Sequence, residues 1–250
     1  MEIIRKPFTG ITNIIRFNWH FYLLALLAII VGSIAGFQIN GWWKLLCWAF
    51  VIGTVCTLIV SMFVSFYIYD CTQLYDFNWI RDSRSTGSIV NIHSGFDESS
   101  VLLRERFPNA DFIVWDFYNP GKHTEISIKR ARKIYPSDGI SIATNDLPSV
   151  NNSVEIVYLI LAAHEIRNEE ERIIFFKELN RILHLDGTIY VMEHLRDVPN
   201  FLAYSIGAFH FHSKRTWLRT FSEAGFSIVS EQKHTPFISI FKLQKDGSSF

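Results

Sequence analysis

Charge is missing from two long stretches near the start of this chain. Residues 21–38, 18 in all, and residues 45–69, 25 in all, contain no Asp, Glu, Lys or Arg. One such group at the centre of a bilayer helix costs about 2.5–3.5 kcal/mol on insertion scales, so its absence removes the main obstacle to crossing. Cysteine is scarce as well. Cys47, Cys56 and Cys71 lie in or just after the second run, which leaves neither a disulfide framework nor zinc spacing. The formal net charge is zero, with 24 basic against 24 acidic side chains, so nothing favours nucleic acid as a partner. The chain has no internal repeat, no low-complexity tract and no G-x-G-x-x-G.

A hydrocarbon core about 30 Å thick needs roughly 20 helical residues. The second run spans unaided, and the first spans if Asn18, Trp19 and His20 sit at headgroup depth. Residues 39–44 separate them, and Asn40-Gly41 is a turn signal. The expectation is a helical hairpin with both chain ends on one side of a bilayer. Aromatic residues gather where interfacial anchors belong: Trp19 and Tyr22, then Trp42 and Trp43, then Tyr67 and Tyr69. A cleaved signal peptide has one short apolar core, and here a longer run follows at once. Arg5, Lys6 and Arg16 precede the hairpin, Arg81 and Arg84 follow it, and its turn holds only Lys44. By the positive-inside rule both ends face the cytoplasm. The expected organisation is a cytoplasmic segment (1–16), a two-span transmembrane hairpin (17–69), a juxtamembrane linker (70–86) and a soluble domain (87–245). Within the linker, Leu74, Tyr75, Phe77, Trp79 and Ile80 are apolar enough to lie along the interface.

The part after the hairpin, about 180 residues, suffices for one domain with its own core. It alternates strand-like and helix-like stretches. Strands are expected at 88–92, 111–116, 140–143, 154–161 and 188–192, with helices at 99–107 and 124–135. The fourth strand is apolar throughout, as in a parallel strand covered on both faces. Asn168 followed by Glu169, Glu170 and Glu171 reads as a helix start, a cap followed by charges favourable to the helix dipole. That helix runs to a turn expected at Asp186-Gly187. Such alternation implies an α/β fold with a doubly wound, mainly parallel sheet. The end departs from it. A helix at 213–224 precedes strands at 226–232 and 237–243, and a link this short forces an antiparallel pair, so the last strand is reversed.

Several segments are similar to those of the class I S-adenosylmethionine-dependent methyltransferases, over about residues 87–245. Asn145-Asp146-Leu147-Pro148 through Asn152-Ser153-Val154-Glu155-Ile156-Val157 resembles the family's passage into its fourth strand. Glu178-Leu179-Asn180-Arg181-Ile182-Leu183, Leu185-Asp186-Gly187 and Ile189-Tyr190-Val191-Met192-Glu193-His194 resemble its helix, turn and fifth strand. Phe221-Ser222-Glu223-Ala224-Gly225-Phe226 resembles the approach to the sixth. The resemblance implies a Rossmann-like sheet and S-adenosyl-L-methionine as cofactor. It places the cofactor against the loop after strand one, His93-Ser94-Gly95-Phe96-Asp97, with Asn91 where the family has an acid. Asp116 would take the ribose hydroxyls, Tyr118 and Asn145 or Asp146 would meet the adenine, and Leu161 and Ala162 would back the methionine arm.

The chemistry is an in-line displacement that needs alignment and one base. His164-Glu165 and Glu193-His194, after strands four and five, open on the substrate side, and His164 and His194 are the candidate bases. His210 and His212 lack a third ligand at suitable spacing, so no metal is expected. The reading is a membrane-anchored methyltransferase whose partners are the bilayer and an apolar small-molecule acceptor, the membrane surface replacing cover missing ahead of strand one. Two alternatives remain open. A nicotinamide-dependent oxidoreductase would also use Asp116, and a non-catalytic membrane adaptor would explain the departure from the glycine loop.

Overall fold

The computed structural model describes residues 6–80, 87–123 and 125–247. Arg5, Arg81, Arg84, Thr86 and Thr124, which figure in the expected charge balance and boundaries, lie outside them. Two long helices come first, α1 (Thr9–Gln38) and α2 (Trp42–Phe66), and both are long and apolar enough to cross a membrane. Gly41, at φ 70, turns the chain between them, a conformation that glycine adopts without a Cβ clash. Large apolar side chains such as Phe37, Trp42, Leu46 and Phe63 lie exposed along the hairpin.

Helix α1 begins at Thr9, upstream of the boundary expected at residue 17. Asn18 is non-helical inside it (φ −113, ψ 17) and bends it between its first turns and the apolar arm. The first turns rest on the soluble domain. The Asp70 carboxylate, just past α2, accepts the N–H of Gly10 at 2.9 Å and of Ile11 at 2.8 Å. Those are two of the N–H groups that a helix start leaves without a partner, and an anion there is favoured by the dipole. A Cβ on Gly10 would overlap the Tyr69 side chain, so this close approach requires glycine. Arg130, from the soluble domain, donates to the Phe17 carbonyl at 2.6 Å, beside the bend, and its guanidinium stacks on Trp19.

Seven strands form one sheet: β1 (Ser88–His93), β2 (Asp111–Asp116), β3 (Ile140–Ser141), β4 (Val154–Ile160), β5 (Leu183–His194), β6 (Phe226–Thr235) and β7 (Ile238–Lys245). Their order is β3-β2-β1-β4-β5-β7-β6. All neighbours pair in parallel except β7, which runs antiparallel to both β5 and β6. This is the doubly wound sheet with one reversed strand that the sequence predicts. The helices are α3 (Ser100–Arg106), α4 (Ile126–Ile134), α5 (Glu169–Ile182), α6 (Val198–Tyr204) and α7 (Lys214–Glu223). The Asn168 side chain caps α5 by accepting the Glu171 N–H at 2.9 Å. Asp186-Gly187 does not end before the fifth strand but lies inside it. Between the pairs Val154↔Leu183 and Ile156↔Thr188, β4 advances two residues and β5 five, so residues 184–187 bulge out.

The two sheet faces are covered differently. On one, Phe175, Phe176 and Leu179 of α5 with Trp217 and Phe221 of α7 pack on Val157, Leu159, Ile189 and Val191. On the other, the cover is the segment after α2: Leu74, Tyr75, Phe77 and Ile80 are buried against Ile89, Ile156, Tyr158 and Met192, with Trp79 over the Tyr158 and Tyr190 rings. Leu74, Tyr75, Phe77 and Ile80 of the linker are therefore core, not an interfacial strip. The helices α3 and α6 also pack there, through Leu103 and Ala203, and burying the linker side chains against the sheet removes more apolar area from water than an interface does. Phe77, 1% exposed, is the sharpest test. Phe77→Ala should cost about 3–5 kcal/mol in denaturant unfolding of the full chain, the usual penalty for a buried aromatic. A loss below about 1 kcal/mol, like that of an exposed site, would mean that the linker is not core.

Candidate functional site

Strand alternation decides what the ends of β4 and β5 present. Successive side chains of a strand point to opposite faces, so Glu193 and His194 diverge. Glu193 reaches His164, in the single helical turn after β4. Its Oε2 lies 2.7 Å from His164 Nδ1, and its Oε1 accepts the His164 N–H at 3.1 Å. His164 Nε2 lies 3.3 Å from Glu165 Oε1. Burial alone would push this imidazole down, but the Glu193 and Glu165 carboxylates outweigh it and raise it to about 10. His164 is thus held as a cation.

His194 goes the other way. Its Nδ1 is 3.0 Å from Asn200 Oδ1, while the Asn200 amide donates to Asp197 and to the Phe237 carbonyl, both at 2.9 Å. Asn200 Oδ1 must therefore accept, which puts the proton on His194 Nδ1 and leaves Nε2 to accept from Tyr69 Oη at 2.8 Å. Burial lowers this histidine to about 4, so it is neutral at physiological pH. Phe211 stacks on its ring. The two candidate bases are not equivalent: one is a fixed cation, the other a neutral acceptor oriented by a Tyr–His–Asn chain.

Both histidines line a cavity of about 220 Å³ at the carboxyl ends of β1 and β4. Its roof is the base of the hairpin, with Gly10, Asn13 and Phe17 from α1 and Tyr69 from the turn just past α2. The cover sought between the second span and strand one therefore comes from the N-terminal side of the first span. Glu98 supplies a further polar edge, accepting from Asn13 at 3.2 Å and from Tyr75 Oη at 3.0 Å. Leu161 also lines the cavity at φ 51, a strained conformation for a leucine at the end of β4. His93 reaches it too. It accepts the Gly95 N–H at 3.1 Å, lies 3.2 Å from Ser137 Oγ, and is pushed below its usual range by burial.

The remaining predicted residues are not gathered there. Asn145 lines a second cavity, of about 530 Å³, with Lys122, His123, Thr144, Glu165 and Arg167. Asp146 lines neither and makes an isolated bridge with Ala143. Ser94 is buried in the loop and lines neither cavity. The Asn91 amide donates to Ser99 Oγ at 2.9 Å and Ser100 Oγ at 2.7 Å, at the start of α3, and its Oδ1 is buried without a partner. Asp116 ends β2 as expected, but its carboxylate accepts from Arg132 and from the Tyr118 N–H, the latter at 2.9 Å. Arg132 lies over the Tyr118 ring, which covers Gly95 so closely that a Cβ there would meet it at 3.0 Å.

These positions test the fit of S-adenosylmethionine. Gly95 at φ 93 brings backbone close to the switch point, Asn91 Oδ1 is a buried acceptor in want of a donor, and Asp116 is the acid at the end of strand two. To admit a nucleoside the set needs Arg132, one-third exposed (34%), withdrawn from Asp116 and Tyr118. Tyr69 and Asn200 escaped the sequence reading. Tyr69 looks like any interfacial aromatic, whereas Asn200 follows a recognisable helix start, Asp197 as cap and Pro199 in the first turn of α6. His212 is apart from His210, bonded to Arg172 at 3.2 Å and lowered to about 3 by burial and that guanidinium.

No protein-family model and no curated protein matches this chain. Solved structures that resemble it include several methyltransferases and a pericyclic-reaction enzyme. A SAM-dependent methyltransferase from Aquifex aeolicus is 11% identical over 63% of this chain and 81% of its own, with TM-score 0.46. A SAM-dependent methyltransferase from Leishmania major is 13% identical over 74% and 77%, with TM-score 0.47. Geranyl diphosphate C-methyltransferase from Streptomyces coelicolor, in complex with Mg2+, geranyl diphosphate and S-adenosyl-L-homocysteine, is 14% identical over 64% and 72%, with TM-score 0.46. Identities this low speak only to fold, and the sheet order of this chain stands by itself.

The neutral state of His194 makes a pH prediction. Unfolded, a histidine titrates near 6.5. Folded, His194 does so near 4, so between these values the unfolded chain binds the extra proton. The stability that this group permits is complete above about pH 6.5 and lost as pH falls towards 4. Urea unfolding between pH 7 and 4 should show a shallower acid loss for His194→Gln than for the wild-type chain. Parallel curves would mean that His194 is not buried neutral.

Proposed function

We propose that this chain is a membrane-anchored S-adenosylmethionine-dependent methyltransferase with an apolar, bilayer-dissolved acceptor and a cytoplasmic catalytic domain. One observation carries the reading. The cavity holding the neutral His194 lies at the foot of the hairpin and is walled by Phe17, Phe96, Ile128 and Phe211. An apolar molecule lying at headgroup depth would meet it without crossing water. The surface beside α2 supports the same orientation, because Val198, Leu202, Ile206 and Phe209 of α6 and the turn after it are exposed apolar side chains.

When bound, S-adenosylmethionine supplies an electrophilic methyl group. Asn91 Oδ1, the Gly95 backbone and Asp116 would hold it, with Asn145 at the adenine end. The acceptor hydroxyl would hydrogen-bond to Tyr69 Oη, which passes its own proton to His194 Nε2. Asn200 keeps Nδ1–H in place, so the transient imidazolium is oriented rather than mobile. His164 does not serve as the base, since its proton is held by two carboxylates.

The test uses the full chain in lipid nanodiscs. S-adenosylhomocysteine should bind in calorimetry, Asp116→Ala should weaken it by about 1.5–3 kcal/mol, the range for a charged acceptor, and Arg132→Ala should strengthen it by freeing Asp116. His194→Gln should leave that binding unchanged while methyl label entering lipid extract falls about 10²–10⁴-fold. If neither the wild-type chain nor Arg132→Ala binds S-adenosylhomocysteine, the fold serves as a non-catalytic adaptor. Reporters fused after Phe250 and in the Asn40-Gly41 turn should report opposite sides of the membrane, and a C-terminus on the outer side would defeat the orientation.

A further inference from the structure

A cluster between the two cavities has the chemistry of a metal centre. His164 and Glu165 lie in the helical turn Ala163–Glu165 after β4, and His210 ends the helical turn Ser205–His210. Chain separation hides the third member from any reading of local spacing. We propose that His164, Glu165 and His210 bind one divalent transition-metal ion, independently of whether the chain transfers methyl groups.

The geometry is that of a ligand set. Glu165 Oε1 lies 3.3 Å from His164 Nε2 and 3.4 Å from His210 Nε2, and one ligand atom from each residue falls within 4.8 Å of the others. Ligands held about 2.0–2.1 Å from a tetrahedral ion are separated by about 3.3–3.4 Å, so two of the three edges already have that length. The outer shell is also present. Each imidazole turns its second nitrogen to a separate carboxylate: His164 Nδ1 to Glu193 at 2.7 Å and His210 Nδ1 to Glu125 at 3.4 Å. Carboxylate–histidine pairs of this kind fix the ring and aim the other nitrogen at a metal. The ion would take the place of the proton that His164 Nε2 carries in the metal-free chain, while Nδ1–H stays on Glu193. Arg167 donates to the carbonyls of both His164, at 3.3 Å, and His210, which ties the two turns together.

The donor set narrows the ion. Two imidazoles and one carboxylate, with no thiolate, suit Zn2+, Fe2+ or Mn2+ and leave positions open for water or a substrate oxygen. Those positions face space on either side, since His164 lines the smaller cavity and Glu165 the larger. A purely structural hydrogen-bonded cluster would explain the Glu165 contacts. Two imidazoliums paired with three carboxylates would make the remaining contacts too, so retained zinc is the observation that separates the two.

The experiment uses the untagged full chain in detergent, dialysed against Zn2+ and then against metal-free buffer, with retained zinc measured by elemental analysis. Co2+ serves as a second probe, for its visible ligand-field bands. One equivalent of zinc should remain on the wild-type chain and on His184→Gln, which alters an exposed histidine elsewhere. His210→Gln should lower affinity at least 100-fold, and Glu125→Gln, which removes only an outer carboxylate, about 10–100-fold. His210 is partly exposed, so its variant should keep the wild-type unfolding midpoint. Less than about a tenth of an equivalent on the folded wild-type chain, or equal retention by His210→Gln, would overturn the proposal. A result of either kind leaves S-adenosylhomocysteine binding to be read on its own.

Discussion

The carboxylate of Asp70, accepting the first two free N–H groups of α1, is the contact on which the rest of this protein depends. It locks the start of one long helix to the end of the other at a point where only glycine permits the approach. From that junction α1 extends over the carboxyl ends of β1 and β4, and the chain beyond α2 runs directly into the sheet core. Tyr69, the neighbour of Asp70, then reaches His194. Hairpin and sheet domain are therefore packed against each other, and the cavity lies where they meet.

Much of the architecture is legible because it rests on periodicity. Uncharged runs and strict strand–helix alternation are local signals, and Asn168 before three glutamates states a helix start without reference to anything distant. The linker shows where such reading stops. Leu74, Phe77 and Ile80 are equally consistent with an interface and with a core, since composition records how apolar a segment is and not what lies beneath it. Residues 9–17 include Gly10 and Asn13, weak helix formers, so nothing local announces that the helix begins ahead of the apolar run.

The site is less legible than the fold, for a reason that Asp116 makes plain. Its position at the end of β2 follows from sequence, but its partner, Arg132, comes from a helix on the far side of a loop. Nothing in the spacing announces that pair. The same holds for His164 and His194, alike as residue types. Two carboxylates make one a cation, and burial keeps the other neutral. Sequence supplies the groups; only their neighbours assign the charge.

The divergence of Glu193 and His194 has a consequence for the reversed strand. Those two residues pair across the ladder with Ser239 and Ile238 of β7. A slip of one residue in a strand turns every side chain to the opposite face, so it would deliver the carboxylate to Tyr69 and the imidazole to His164. The antiparallel terminal hairpin thus acts as a vernier for β5, setting its phase to a single residue. The far end of the chain, remote from the cavity in sequence, decides which chemical group each side of the cavity receives.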